Sequence, residues 1–172
     1  MGDYLSRLAL ASERAPGLRG FQVLGYNDLQ RLEAFFLAFD FDQRRDYFGG
    51  GVSNESVLDF CKAIRWTETT IIARSGPYCL EAIATIAAMA PDLRAAELSM
   101  ACPLSCDRRP IVADLLDLAL MTASLSYRQL IVNRELAMPE LLTLLRGSPS
   151  ATFGADIVRI DVPVGNARVV AC

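Results

Sequence analysis

The segment from Thr69 to Asn133 constrains the fold more than any other part of the chain. Thr69–Arg74 is apolar and β-branched, Ser75-Gly76-Pro77 reads as a turn, and Cys79–Met89 alternates loosely. Ala90-Pro91-Asp92 turns the chain again before a third β run, Ala95–Cys102. Three strands joined by tight turns make an antiparallel meander, because a short turn can only lay the chain back alongside itself. Pro103–Pro110 then reads as a loop and Gln129–Asn133 as a short strand. Between them Ile111–Tyr127 reads as a helix, with Leu115, Leu118 and Leu125 inward and Asp114 and Asp117 outward. Strand, loop, helix, strand is a βαβ unit, which requires one parallel strand pair and a right-handed crossover.

The flanking segments complete this pattern. Residues 1–17 read as an N-terminal extension ending at Ala15-Pro16-Gly17, and residues 18–172 as one domain. Phe21–Gly25 reads as a strand. Asn27 or Asp28 caps a helix carrying Leu29, Leu32, Phe36 and Phe39 at near-helical spacing. Asp40–Tyr47 is polar and charged and reads as part of a loop reaching Gly51, with a glycine turn at Phe48-Gly49-Gly50-Gly51-Val52. Ser53 caps the next helix, which buries Val57, Phe60, Cys61 and Ile64 and ends near Trp66. Pro139 opens a helix over Glu140–Arg146 that Gly147 stops. Phe153–Val162 and Ala167–Val170 supply the final strands. The expected fold is of the α/β (α+β) class: a mixed, mostly antiparallel central sheet with helices on both faces.

Composition narrows the chemistry. Histidine is absent, which excludes a Ser-His-Asp triad, a Cys-His dyad and any His-containing zinc site within the chain. Lys62 is the only lysine, so Schiff-base chemistry would rest on one residue. The five cysteines, Cys61, Cys79, Cys102, Cys106 and Cys172, are odd in number and read as buried, reduced thiols, and no metal site is expected. A net charge of −3 with no long basic run argues against a nucleic-acid partner. No stretch reaches the roughly 18–20 uninterrupted apolar residues of a membrane span. The expected setting is cytoplasmic, with no membrane partner.

The element order from Phe21 to Val162 resembles the GNAT superfamily, the acyl-CoA-dependent N-acetyltransferases. Three local segments add to the likeness. Asp46-Tyr47-Phe48-Gly49-Gly50-Gly51-Val52-Ser53 resembles the family's approach to its second helix. Ala96-Glu97-Leu98-Ser99-Met100 resembles its central strand, and Met138-Pro139-Glu140-Leu141 followed by Gly147 resembles its late helix. The resemblance implies acetyl-CoA or another acyl-CoA as co-substrate and a small-molecule or peptide amine as acceptor. It also implies a homodimer, since late strands of such folds pair across subunits.

In the family the pyrophosphate sits on a turn of pattern (Gln/Arg)-x-x-Gly-x-(Gly/Ala), where bare backbone N–H groups and a helix N-terminus face the phosphates. Aligned on Leu115-Leu116, that turn here is Asp107-Arg108-Arg109-Pro110-Ile111-Val112, a degenerate version. Asp107 brings a negative charge, Pro110 has no N–H, and Val112 is β-branched where the pattern has a small residue. Arg108 and Arg109 suit an anion, and also read as a solvated pair meeting Asp107 or Asp114, the commoner role of exposed charges. The resemblance makes Glu97 the candidate base or water-holder, and places the thioester-polarising N–H groups at Met100, Ala101 and Cys102. Arg108, Arg109, Ile111 and Val112 are the remaining candidates for holding the co-substrate. Glu97 also reads as a carboxylate paired with an arginine, and Glu81, a second carboxylate on the preceding strand, shares that reading. Leu142 stands where many members carry a tyrosine acid. The expected asparagine before Met138 falls on Glu135, or on Asn133 with a shift. An N-acyltransferase and a non-catalytic GNAT-like binding module both fit these residues.

Overall fold

The computed structural model describes residues 20–50, 53–89, 94–103 and 108–162. Among the described residues seven strands form one sheet: β1 (Phe21–Leu24), β2 (Thr69–Ser75), β3 (Leu80–Ala88), β4 (Ala95–Ala101), β5 (Gln129–Asn133), β6 (Ala151–Phe153) and β7 (Ile157–Asp161). Their order is β1-β2-β3-β4-β5-β7-β6, and every pairing is antiparallel except β4 with β5. The meander is therefore β2-β3-β4, and the βαβ unit supplies the single parallel seam. The turn at residues 90–93, the 1–17 extension and the Ala167–Val170 strand lie outside the described residues.

Among the described residues five α-helices cover the sheet: α1 (Leu29–Leu37), α2 (Phe41–Phe48), α3 (Asn54–Lys62), α4 (Arg108–Ala123) and α5 (Pro139–Arg146). Alternation along the strands sends successive side chains to opposite faces and builds two cores. Ile72, Ala84, Leu98, Met100 and Val132 pack with α4 and α5 on one face. Ile71, Ala73, Ile83 and Ala101 pack with the aromatic side chains of α1 and with Val57 and Cys61 of α3 on the other. Helices thus lie on both faces of a mixed, mostly antiparallel sheet.

Several local expectations are corrected. Asp40–Tyr47 is helical rather than a loop. The Asp40 carboxylate accepts from Gln43 N–H at 2.8 Å, the Gln43 side chain accepts from Asp40 N–H at 3.1 Å, and Gly49 ends the helix at φ 76°. Caps at both ends carry a helix whose composition alone reads as solvated chain. A 3-10 turn, Tyr26–Asp28, precedes α1, and Asp28 accepts from Gly25 N–H instead of capping α1 itself. Helix α3 stops at Lys62, short of Trp66, and its Phe60 is 40% exposed.

Helix α4 begins at Arg108, so Arg108, Arg109 and Pro110 form its first turn instead of a loop. Pro110 is tolerated there because first-turn N–H groups have no intrahelical acceptor. The helix closes by Ala123, Tyr127 N–H turns back to Ala123 O at 2.7 Å, and Leu125 is exposed rather than buried. Phe153–Val162 is split by a turn at Gly154-Ala155-Asp156 into the antiparallel pair β6–β7. Of the described thiols Cys61 and Cys102 are buried, whereas Cys79, in the β2–β3 turn, is exposed.

Candidate active site

The parallel seam is short. β4 pairs with β5 only over Ala95–Glu97 against Gln129–Ile131, while β4 runs on to Ala101 against β3. Beyond Glu97 and Ile131 the two strands part. Backbone direction in this gap follows from the ladder. Met89 N–H donates to Ala95 O at 3.3 Å, so Ala95, Glu97, Ser99 and Ala101 face β3 with their backbone polar groups. Arg128 and Gln129 N–H both donate to Arg94 O, at 2.6 and 3.1 Å, so the intervening residues face β5. Met100 N–H is thereby aimed into the gap where β5 no longer meets it.

Two adjacent cavities occupy the gap and share Tyr47, Met100, Leu136 and Ala137 as their common wall. The outer cavity, about 410 Å³, lies at the C-terminal end of β4 between Met100, Ala101, Cys102 and Pro103 on one side and Leu136–Pro139 on the other. Arg108 reaches it from the first turn of α4. Its guanidinium lies 3.8 Å from Glu140 Oε1 at the start of α5, and its Nε donates to Pro103 O at 3.4 Å. The second Glu140 oxygen, Oε2, is buried without a hydrogen-bond partner among the described residues. Asp42 and Asp46 of α2 form the rim, and both are bound by Arg45, at 3.0 and 3.2 Å.

The inner cavity, about 270 Å³, lies over the α1–α3 face of the sheet. Glu97 and Ser99 of β4 project into it with Thr85 of β3, beneath Tyr47, Phe48 and Phe60. The Tyr47 hydroxyl shares hydrogen bonds with Ser99 Oγ at 3.2 Å and Thr85 Oγ1 at 3.4 Å. Burial raises its pKa above the ordinary phenol value, and the two hydroxyl contacts only partly oppose this. Glu97 is solvent-exposed and makes no hydrogen bond or ion pair among the described residues. The two carboxylates of the meander therefore differ: Glu81 is held by Arg74 at 3.0 Å, and Glu97 by no cation among the described residues.

Of the co-substrate candidates, Met100, Ala101, Cys102 and Arg108 meet around the outer cavity. Arg109 is exposed, and Ile111 and Val112 turn their side chains into the core under the sheet. The Val112 isopropyl group therefore stands away from the cavity, and the Pro110 ring does not line it either. Asp107 lies outside the described residues. Glu135 lines the outer cavity and Asn133 the inner one, with Asn133 Oδ1 accepting from Glu135 N–H at 3.0 Å. Leu142 packs against the core. Sequence reasoning missed Tyr47, Leu136 and Ala137. The signal for Tyr47 was the Asp40-x-x-Gln43 box ending at Gly49, which makes 42, 43, 46 and 47 one helical face.

No family model and no curated protein matches the sequence. Solved structures do match the fold. The GNAT domain of S. lividans PAT aligns at TM-score 0.58 and 16% identity, covering 81% of this chain and 87% of that one. An N-acetyltransferase from Staphylococcus aureus Mu50 aligns at TM-score 0.54 and 13% identity, covering 83% and 97%. Tetrahymena GCN5 aligns at TM-score 0.56 and 11% identity, covering 84% and 96%. The chain has the GNAT fold.

Proposed function

We propose that this GNAT-fold chain is an acyl-CoA-dependent N-acyltransferase, moving an acetyl or related acyl group to an amine. One observation carries the reading: β4 and β5 separate after Glu97 and Ile131 and leave an open cleft of about 410 Å³ bordered by Met100–Cys102. A thioester carbonyl placed there meets Met100 N–H, which stabilises the oxyanion as charge develops. The amine attacks the carbonyl carbon, the C–N bond forms, the C–S bond breaks, and the thiolate leaves with CoA. Glu97, directly or through water, takes the amine proton. Arg108 and the first turn of α4 face the phosphates, with Glu140 releasing Arg108 to them.

The altered turn favours a second reading, a non-catalytic binding module. Pro110 removes a first-turn N–H, and Leu142 cannot protonate the leaving thiolate. Thermal shift with acetyl-CoA separates the two. At 100 times its dissociation constant a ligand adds about 2.7 kcal/mol, which raises Tm by about 5–10 °C for a chain of this size. No shift with acetyl-CoA, CoA or longer acyl-CoAs removes the enzyme reading. With binding in hand, Glu97→Gln is expected to lower kcat about a hundredfold and to keep the acetyl-CoA shift; unchanged turnover clears Glu97 of the base role.

A further inference from the structure

The inner cavity carries a chemical bias of its own. Its uncharged polar side chains already have partners: the Thr85 and Ser99 hydroxyls meet Tyr47, and Asn133 Oδ1 meets Glu135 N–H. Glu97 is the exception, with no hydrogen bond or ion pair among the described residues and no cationic side chain among those lining the chamber. Phe48 and Phe60, ring centroids 5.0 Å apart, line the same chamber, and Leu136 and Leu141 add to its hydrocarbon wall. A lone carboxylate facing aromatic and aliphatic walls complements a ligand with an ammonium at one end and hydrocarbon at the other. The rings add cation–π attraction where they approach the charge.

The same lining disfavours other amines. A free amino acid would bring its own carboxylate into a chamber that offers no base to meet it. A polyamine would press a second ammonium against hydrocarbon and lose hydration without a partner. At about 270 Å³ the chamber lies just below the usual range of ligand pockets, room for one ring and a short chain. Resting on the acyltransferase reading, we infer that the inner cavity takes a small primary monoamine with an aromatic or aliphatic body and no carboxylate, docked by its ammonium on Glu97. Its nitrogen then enters from the side opposite the outer cleft, past Met100, one of the four residues common to both chambers.

The test is calorimetric titration of the full chain with 2-phenylethylamine, phenylalanine and spermidine, without and with CoA present. The expected result is affinity for 2-phenylethylamine at least about tenfold above either competitor. Glu97→Gln weakens it about tenfold, whereas Phe60→Ala weakens 2-phenylethylamine and leaves ethylamine unchanged. Acetyl-CoA consumption ranks the three amines in the same order. Equal binding of phenylalanine, tighter binding of spermidine, or no binding of 2-phenylethylamine in either condition overturns the inference. An acetyl-CoA shift with the wrong amine order removes the monoamine and leaves acyl transfer standing. Binding of 2-phenylethylamine with no acyl-CoA shift removes acyl transfer and keeps the amine chamber.

Discussion

Val112 shows how one residue can mean different things in the chain and in the fold. In the chain it interrupts a phosphate-binding pattern. In the fold it is fully buried beneath the sheet, so restoring glycine there removes a packed side chain from the core. Val112→Gly is expected to cost about 3–4 kcal/mol through the cavity and the added backbone freedom, measured by urea unfolding. Pro110→Gly, at an exposed first-turn position, restores an N–H without touching the core, and acetyl-CoA affinity measured on that variant reports whether the missing donor matters. Cys61 supplies a pH signature. Burial, with a smaller contribution from Glu33, pushes its thiol from 9.0 up to about 11. The unfolded thiol loses its proton first, so the folded state binds more protons across that interval and stability falls as pH rises from about 9 to about 11. Cys61→Ala should flatten this slope in denaturation curves collected at successive pH values; an unchanged slope assigns it to other groups.

Among the elements, α2 depends most on its ends. It buries no residue fully, and its middle is a run of charged and polar side chains. The Asp40–Gln43 box and the left-handed Gly49 hold it, and it in turn carries Tyr47 to the wall between the two cavities. Asp40→Ala should lose about 1 kcal/mol, and Gly49→Ala a similar amount because φ of 76° strains any residue with a Cβ. Thermal unfolding reads both losses, and a normal Tm for both variants would show that packing of Tyr47 and Phe48 holds the helix instead. Strands β2 to β5 follow their sequence patterns to within a residue or two, because period-two alternation and Gly/Pro turns are local signals. Helix α2 escaped the same reading because its hydrophobic stripe is weak and its capping box and terminal glycine carry the signal alone.

Over the whole molecule, the outcome turns on one seam. Filling it is a direct test: Ala137, half-buried on the wall shared by both cavities, has no large side chain to lose. Ala137→Trp should abolish the acetyl-CoA shift while leaving the circular dichroism of the free protein unchanged; a retained shift places the co-substrate elsewhere. The meander, the parallel crossover, the helix stop at Gly147, and the absence of histidine chemistry were all determined by sequence alone, since each depends on side chains within a few positions of one another or on composition. Only the tertiary structure decided that β5 leaves β4 after Ile131, that Glu97 finds no arginine among the described residues while Glu81 does, and that Val112 faces the core rather than the cleft. Those outcomes are set by groups tens of residues apart brought together by burial of two apolar faces, and local patterning holds no record of which distant partner a side chain will meet.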